Sequence, residues 1–123
     1  MKKIIIFFSV ITLVGCSLIP SKWDGNEAKA ITDIQVSVRY FDCSNPNAQV
    51  NELQKQIEWF QTYAQFKGSR DVAEIFTEIS TTVKEFKDRT DKGPISPMYC
   101  DLKKKILIQQ ADITAKAVQG RFQ

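Results

Sequence analysis

The chain has 123 residues, 43% hydrophobic and 25% charged, with five glycines and four prolines, a globular composition rather than that of a disordered tail or a collagen-like repeat. Seventeen basic and fourteen acidic side chains leave a formal charge of +3, too small to imply nucleic acid as a partner. Histidine is absent, which excludes Ser-His-Asp triads, Cys-His dyads and most zinc sites.

Met1-Lys2-Lys3 is a positive start, and Ile4 to Val14 (IIIFFSVITLV) is a predominantly apolar run of eleven. The run is well short of the ~20 residues of a permanent membrane span and matches the apolar region of an export signal. Leu13-Val14-Gly15-Cys16 follows and resembles the lipobox of bacterial lipoproteins. The resemblance covers residues 1–16, with all three parts in order. It implies cleavage between Gly15 and Cys16, a diacylglycerol on the Cys16 thiol and an acyl chain such as palmitate on the new amine. In that family an aspartate after the cysteine retains the protein in the inner membrane, and Ser17 is compatible with transfer to the outer one. The resemblance therefore implies a lipid-anchored protein on the periplasmic face of a Gram-negative outer membrane. Each buried CH₂ contributes about 0.8 kcal/mol, so two or three chains hold far more firmly than one. The expected organisation is a signal peptide over 1–15, a lipidated short tether over 16–23 and a helical domain over 24–123. Lys2 and Lys3 leave with the signal, so the mature chain is close to neutral.

Beyond Cys16, two cysteines remain, Cys43 and Cys100, with no CxxC spacing. In an exported protein two such thiols predict a structural disulfide rather than a redox or metal site.

Helical periodicity recurs four times after the signal, and strand alternation nowhere. The first segment opens at Asp24-Gly25-Asn26-Glu27, a capping-box pattern with Asp24 as N-cap and Glu27 reaching back. Trp23, Ile31, Ile34, Val38 and Phe41 share its apolar face. The second starts at Asn45-Pro46, a cap followed by proline at the first helical position. Val50, Leu53, Ile57, Phe60 and Ala64 form its stripe, and Lys67-Gly68 ends it. The third restarts from Ser69 or Asp71 as one continuous helix to Gly93-Pro94, with Val72, Ile75, Phe76, Ile79, Val83 and Phe86 inward. The fourth starts at Ser96-Pro97 and runs to about Gln119, with Tyr99, Leu102, Ile106, Ile113 and Ala117 as the expected core face and Gln109 turned towards it.

Short connections between these segments predict an all-α, up-down antiparallel four-helix bundle stapled by one disulfide. That topology places Cys43 and Cys100 at the same, membrane-distal end. Helices of ~22 residues are about 33 Å long, and the tether spans at most ~30 Å, so the domain stays near its own leaflet.

Two surfaces are candidates for partner binding. On the second helix Trp59 and Phe66 lie opposite the core stripe with Tyr63 at the border. On the fourth, Leu107, Ala111, Thr114 and Val118 form a second face. The competing reading buries these residues inside the domain or under a terminal segment that includes Phe122. Lys103-Lys104-Lys105 and the carboxylates Glu74, Glu78 and Glu85 read as solvated surface. With no paired carboxylates, phosphate loop or serine-centred motif, the sequence predicts a non-catalytic protein without metal or cofactor. The expected function is a protein-binding module anchored at the outer membrane. In architecture it is similar to the secretin pilotins, small helical lipoproteins that hold a partner helix in an apolar groove. The alternatives are a self-associating envelope lipoprotein, or a phage- or plasmid-borne lipoprotein for entry exclusion or lysis, such as an outer-membrane spanin component.

Overall fold

A computed structural model describes residues 21–121; the expected signal peptide, Cys16, the first part of the expected tether and Phe122 lie outside that range. The described residues are helical and contain no strand. Four long helices and one short one follow in order: α1 Gly25–Arg39, α2 Pro46–Lys67, α3 Arg70–Ile75, α4 Thr77–Asp91 and α5 Pro97–Gln119. Together they form a helical bundle around one apolar cluster, in which α1 packs against α2 and α5, and α4 against α2 and α5. None of these helices is long and apolar enough to cross a membrane.

The caps set where each helix begins and stops. Asp24 stands at the N-cap of α1, and its carboxylate accepts the N–H groups of Asn26 and Glu27 at 2.9 and 3.0 Å. Glu27 does not complete the expected capping box, because its side chain turns inward and pairs with Arg121. Pro46 occupies the first turn of α2, where a missing N–H costs nothing, while the Asn45 side chain makes no capping bond. At the other end Gly68 adopts φ +74°, and the N–H groups of Gly68 and Ser69 return to the carbonyls of Gln65 and Ala64. This left-handed stop favours glycine and turns the chain directly into α3. Ser96 caps α5 by accepting the Tyr99 N–H at 3.2 Å.

The stripe of α2 is buried as expected: Val50, Leu53, Ile57, Phe60 and Ala64 are all 2% exposed or less. Two expectations are corrected. The third segment divides into α3 and α4 at Phe76, which keeps right-handed dihedrals (φ −75°, ψ −9°) while the regular helical ladder is interrupted there. No proline or glycine marks the spot. The Phe76 ring lies 3.7 Å from that of Phe60, centroid to centroid, a tertiary contact that periodicity does not contain.

The larger correction concerns α5. Its buried face is Cys100, Leu107, Ala111, Thr114, Ala115 and Val118. Leu102 and Ile113, expected in the core, are 54% and 61% exposed, and Ala117 and Gln109 also face solvent. Leu107, Ala111 and Val118 are completely buried and offer no partner surface. The reason is the small size of Ala111 and Ala115, which lets α5 approach the Ile31–Ile34–Val38 stripe of α1 closely. Packing fit decides the face here, and summed hydrophobicity does not.

The Cys43 and Cys100 sulfurs are 2.06 Å apart, with Cα atoms at 5.9 Å, within the range for a disulfide. They join the α1–α2 connection to the start of α5. Beside them the Lys104 ammonium donates to the Phe41 carbonyl at 2.9 Å, while Lys105 is exposed.

Candidate functional site

The exposed aromatic face of α2 is the part of the candidate surface that remains. The seven-residue interval from Trp59 to Phe66 points it away from the Val50–Leu53–Ile57 stripe, and Trp59 and Phe66 are 52% and 86% exposed. Tyr63 is half-buried, and its ring stacks on Trp59 with centroids 5.1 Å apart and planes 6° from parallel. This stack is held from below. The Tyr63 hydroxyl accepts from the Asn26 amide at 2.9 Å and donates to the Asp24 carboxylate at 3.3 Å. Lys67 adds an ion pair to Asp24 at 3.5 Å. The cap of α1 thus also fixes the aromatic pair on α2.

Burial alone would raise the carboxyl of Asp24, but the Glu27 and Asn26 N–H groups and Lys67 outweigh it and hold it below the ordinary value. Asp24 is therefore charged at neutral pH, as an anchor for Tyr63 requires.

Trp59 forms a wall shared by two shallow grooves. One of about 410 Å³ lies between α1 and α2, lined by Asn26, Lys29, Ala30, Asp33 and Gln56. The other, about 540 Å³, follows α2 past Lys55, Thr62, Tyr63 and Phe66. Both are mainly apolar in lining with charged groups at the rim. Among the described residues no cluster of His, Cys, Asp or Glu is arranged to hold a metal ion.

A second polar cluster escaped the sequence reading. Glu27 is fully buried and pairs with the nearly buried guanidinium of Arg121. Arg121 also donates to the Val118 carbonyl at 2.8 Å and to the Ser21 hydroxyl at 3.1 Å. Ser21 in turn donates its N–H to Asp71 at 3.0 Å and its hydroxyl to the other oxygen of that carboxylate. The signal was present: Glu27 precedes Ile31, Ile34 and Val38 by 4, 7 and 11 residues, which sets a carboxylate on the core stripe. Arg121, past the end of the last helix, has no comparable signature. Burial acts to raise Asp71, but the bonds from Ser21 and Val72 and the charge of Arg121 prevail and lower it. The cluster ties the start of α1, the start of α3 and the end of α5 to Ser21, the first described residue.

Comparison with known protein families, with curated proteins and with solved structures gives no match to this chain.

Proposed function

We propose that this chain is a small outer-membrane lipoprotein of the periplasm that works as a non-catalytic protein-binding module. The anchoring half of the reading rests on the lipobox at Leu13-Val14-Gly15-Cys16. The binding half rests on one observation, the exposed Trp59 ring stacked on half-buried Tyr63 between two grooves. Large exposed apolar patches on monomeric proteins often mark interaction sites, and tryptophan and tyrosine dominate the energetic centres of interfaces. An up-down antiparallel order of the four long helices accompanies this reading. It is supported by the end-to-start contacts Tyr63–Asp24, Arg121–Glu27, Cys43–Cys100 and Asn47–Asp91.

The test is crosslinking in the native envelope with wild-type chain and Trp59→Ala. A specific captured protein, lost in the variant while helical circular dichroism and melting are retained, is the expected result. Unfolding of the variant, or unchanged capture, contradicts it.

Self-association is a second reading, favoured by the exposed Leu102 and Ile113 on α5. It predicts concentration-dependent mass in sedimentation, abolished by Ile113→Lys.

A further inference from the structure

The tether enters the fold at a defined place. Ser21 is bonded through both its N–H and its hydroxyl to Asp71, and Arg121 bonds the same hydroxyl. Only residues 17–20 then separate Cys16 from a fastened residue. Five residue steps span at most about 18 Å, so an acylated Cys16 keeps this end of the bundle near the lipid.

The composition of that end suits such a position. Trp23 lies just before α1, its indole over Gly25, and is 39% exposed. Phe66, in the last turn of α2, is 86% exposed. Lys67 bridges the two helices by its ion pair with Asp24, and Lys22 and Arg70 are exposed with no carboxylate partner among the described residues. The acidic groups here are mostly engaged internally: Asp24 by Lys67 and Tyr63, Asp71 by Ser21, Glu27 by Arg121. Glu74, a turn into α3, is the exposed exception. Aromatic rings interleaved with cations are the chemistry of a surface lying at phospholipid headgroup depth. The opposite end also exposes Tyr40, Met98 and Lys105, but it is about 30 Å away along α2 and beyond the tether's reach.

We propose that the end face carrying Lys22, Trp23, Phe66, Lys67 and Arg70 seats on an anionic phospholipid surface, the leaflet holding the Cys16 lipid. The bundle then stands end-on, and Trp59, about 12 Å further from the face along α2, stays in water with the groove between α1 and α2 open, while the Phe66 end of the second groove lies against the lipid. The proposal rests on the lipid-anchor reading.

The chain has two tryptophans, at 23 and 59, so single substitutions give two depth reporters. Full chain carrying Trp59→Phe or Trp23→Phe is produced with its own signal and extracted. It is then reconstituted in phosphatidylcholine vesicles with or without phosphatidylglycerol, and intact mass reports the state of Cys16. With phosphatidylglycerol, Trp23 emission should shift to the blue, and acyl-brominated lipid should quench it at least twofold more than Trp59. Trp59 should remain open to acrylamide. In the Trp59→Phe background, Lys22→Gln or Arg70→Gln should each lower the ratio of seated to free chain about fivefold.

An acylated chain whose Trp23 is as accessible to acrylamide as Trp59 overturns the seating and leaves that end for a protein. Equal lipid quenching of both tryptophans overturns the end-on geometry. A bare Cys16 overturns the anchor reading and this proposal with it.

Discussion

Replacing Arg121 with methionine removes the guanidinium while keeping much of the volume. Glu27 beneath it is 0% exposed, one of its oxygens is bonded to Arg121, and the other has no partner. The variant therefore leaves a fully buried carboxylate without a counter-charge, a change that costs about 3–5 kcal/mol. The lost bonds to Ser21 and Val118 argue against the low end of that range. A domain of about 100 residues loses roughly 4–8 °C in Tm per kcal/mol, so the melting temperature should fall by more than about 10 °C. Adding Glu27→Met removes the stranded charge and should recover most of the loss, to within about 2 kcal/mol of wild type. Urea unfolding followed by far-ultraviolet circular dichroism reads Arg121→Met, Glu27→Met and the double variant. An Arg121→Met cost below about 1 kcal/mol, or a double variant as unstable as the two single losses added, would refute the buried-pair account.

Leu107→Ala should cost about 2–5 kcal/mol, whereas Ile113→Ala on the same helix should change stability by less than about 1 kcal/mol; the reverse order in urea unfolding would restore the face expected from sequence. Reducing Cys43–Cys100, which closes a sequence separation of 57, should cost about 4 kcal/mol on the loop-entropy model, and a reduced protein as stable as the oxidised one would contradict it. Asp24 and Asp71 are both lowered from 3.8 in the fold. Their stabilisation is thus complete above the ordinary carboxylate range and is lost as pH falls through the lower folded values. Urea midpoints should stay level from neutral pH towards 4 and fall below it, with a shallower fall in Asp71→Asn; an equal fall in that variant would contradict the assignment.

How much of this was readable in advance divides along physical lines. Caps and terminators are local chemistry, so Asp24, Pro46, Gly68 and Ser96 mark their helix boundaries correctly. The α2 stripe is unambiguous, because one face is apolar and the other carries polar groups beside its aromatics. On α5, Leu102–Ile106–Ile113 outweighs Leu107–Ala111–Val118 in hydrophobicity, and the choice falls to how closely a neighbouring helix can approach. That information belongs to α1 and not to α5. Phe76, where α3 gives way to α4, stacks on Phe60 of another helix, and the Glu27–Arg121 pair joins residues 94 positions apart. That Trp59 and Phe66 lie opposite the core stripe was legible because α2 alone defines that face, whereas their exposure depends on no other segment covering them, which only the structure shows. The support of Tyr63 by Asn26 and Asp24 comes from another helix.

The central claim is that acylation at residue 16 fixes this helical module beside a lipid leaflet. Intact mass spectrometry of the protein extracted from native membranes tests it most directly. The account predicts a chain beginning at Cys16 that carries a diacylglycerol and an additional acyl group. An unmodified thiol at that position, or a chain retaining residues 1–15, would contradict it.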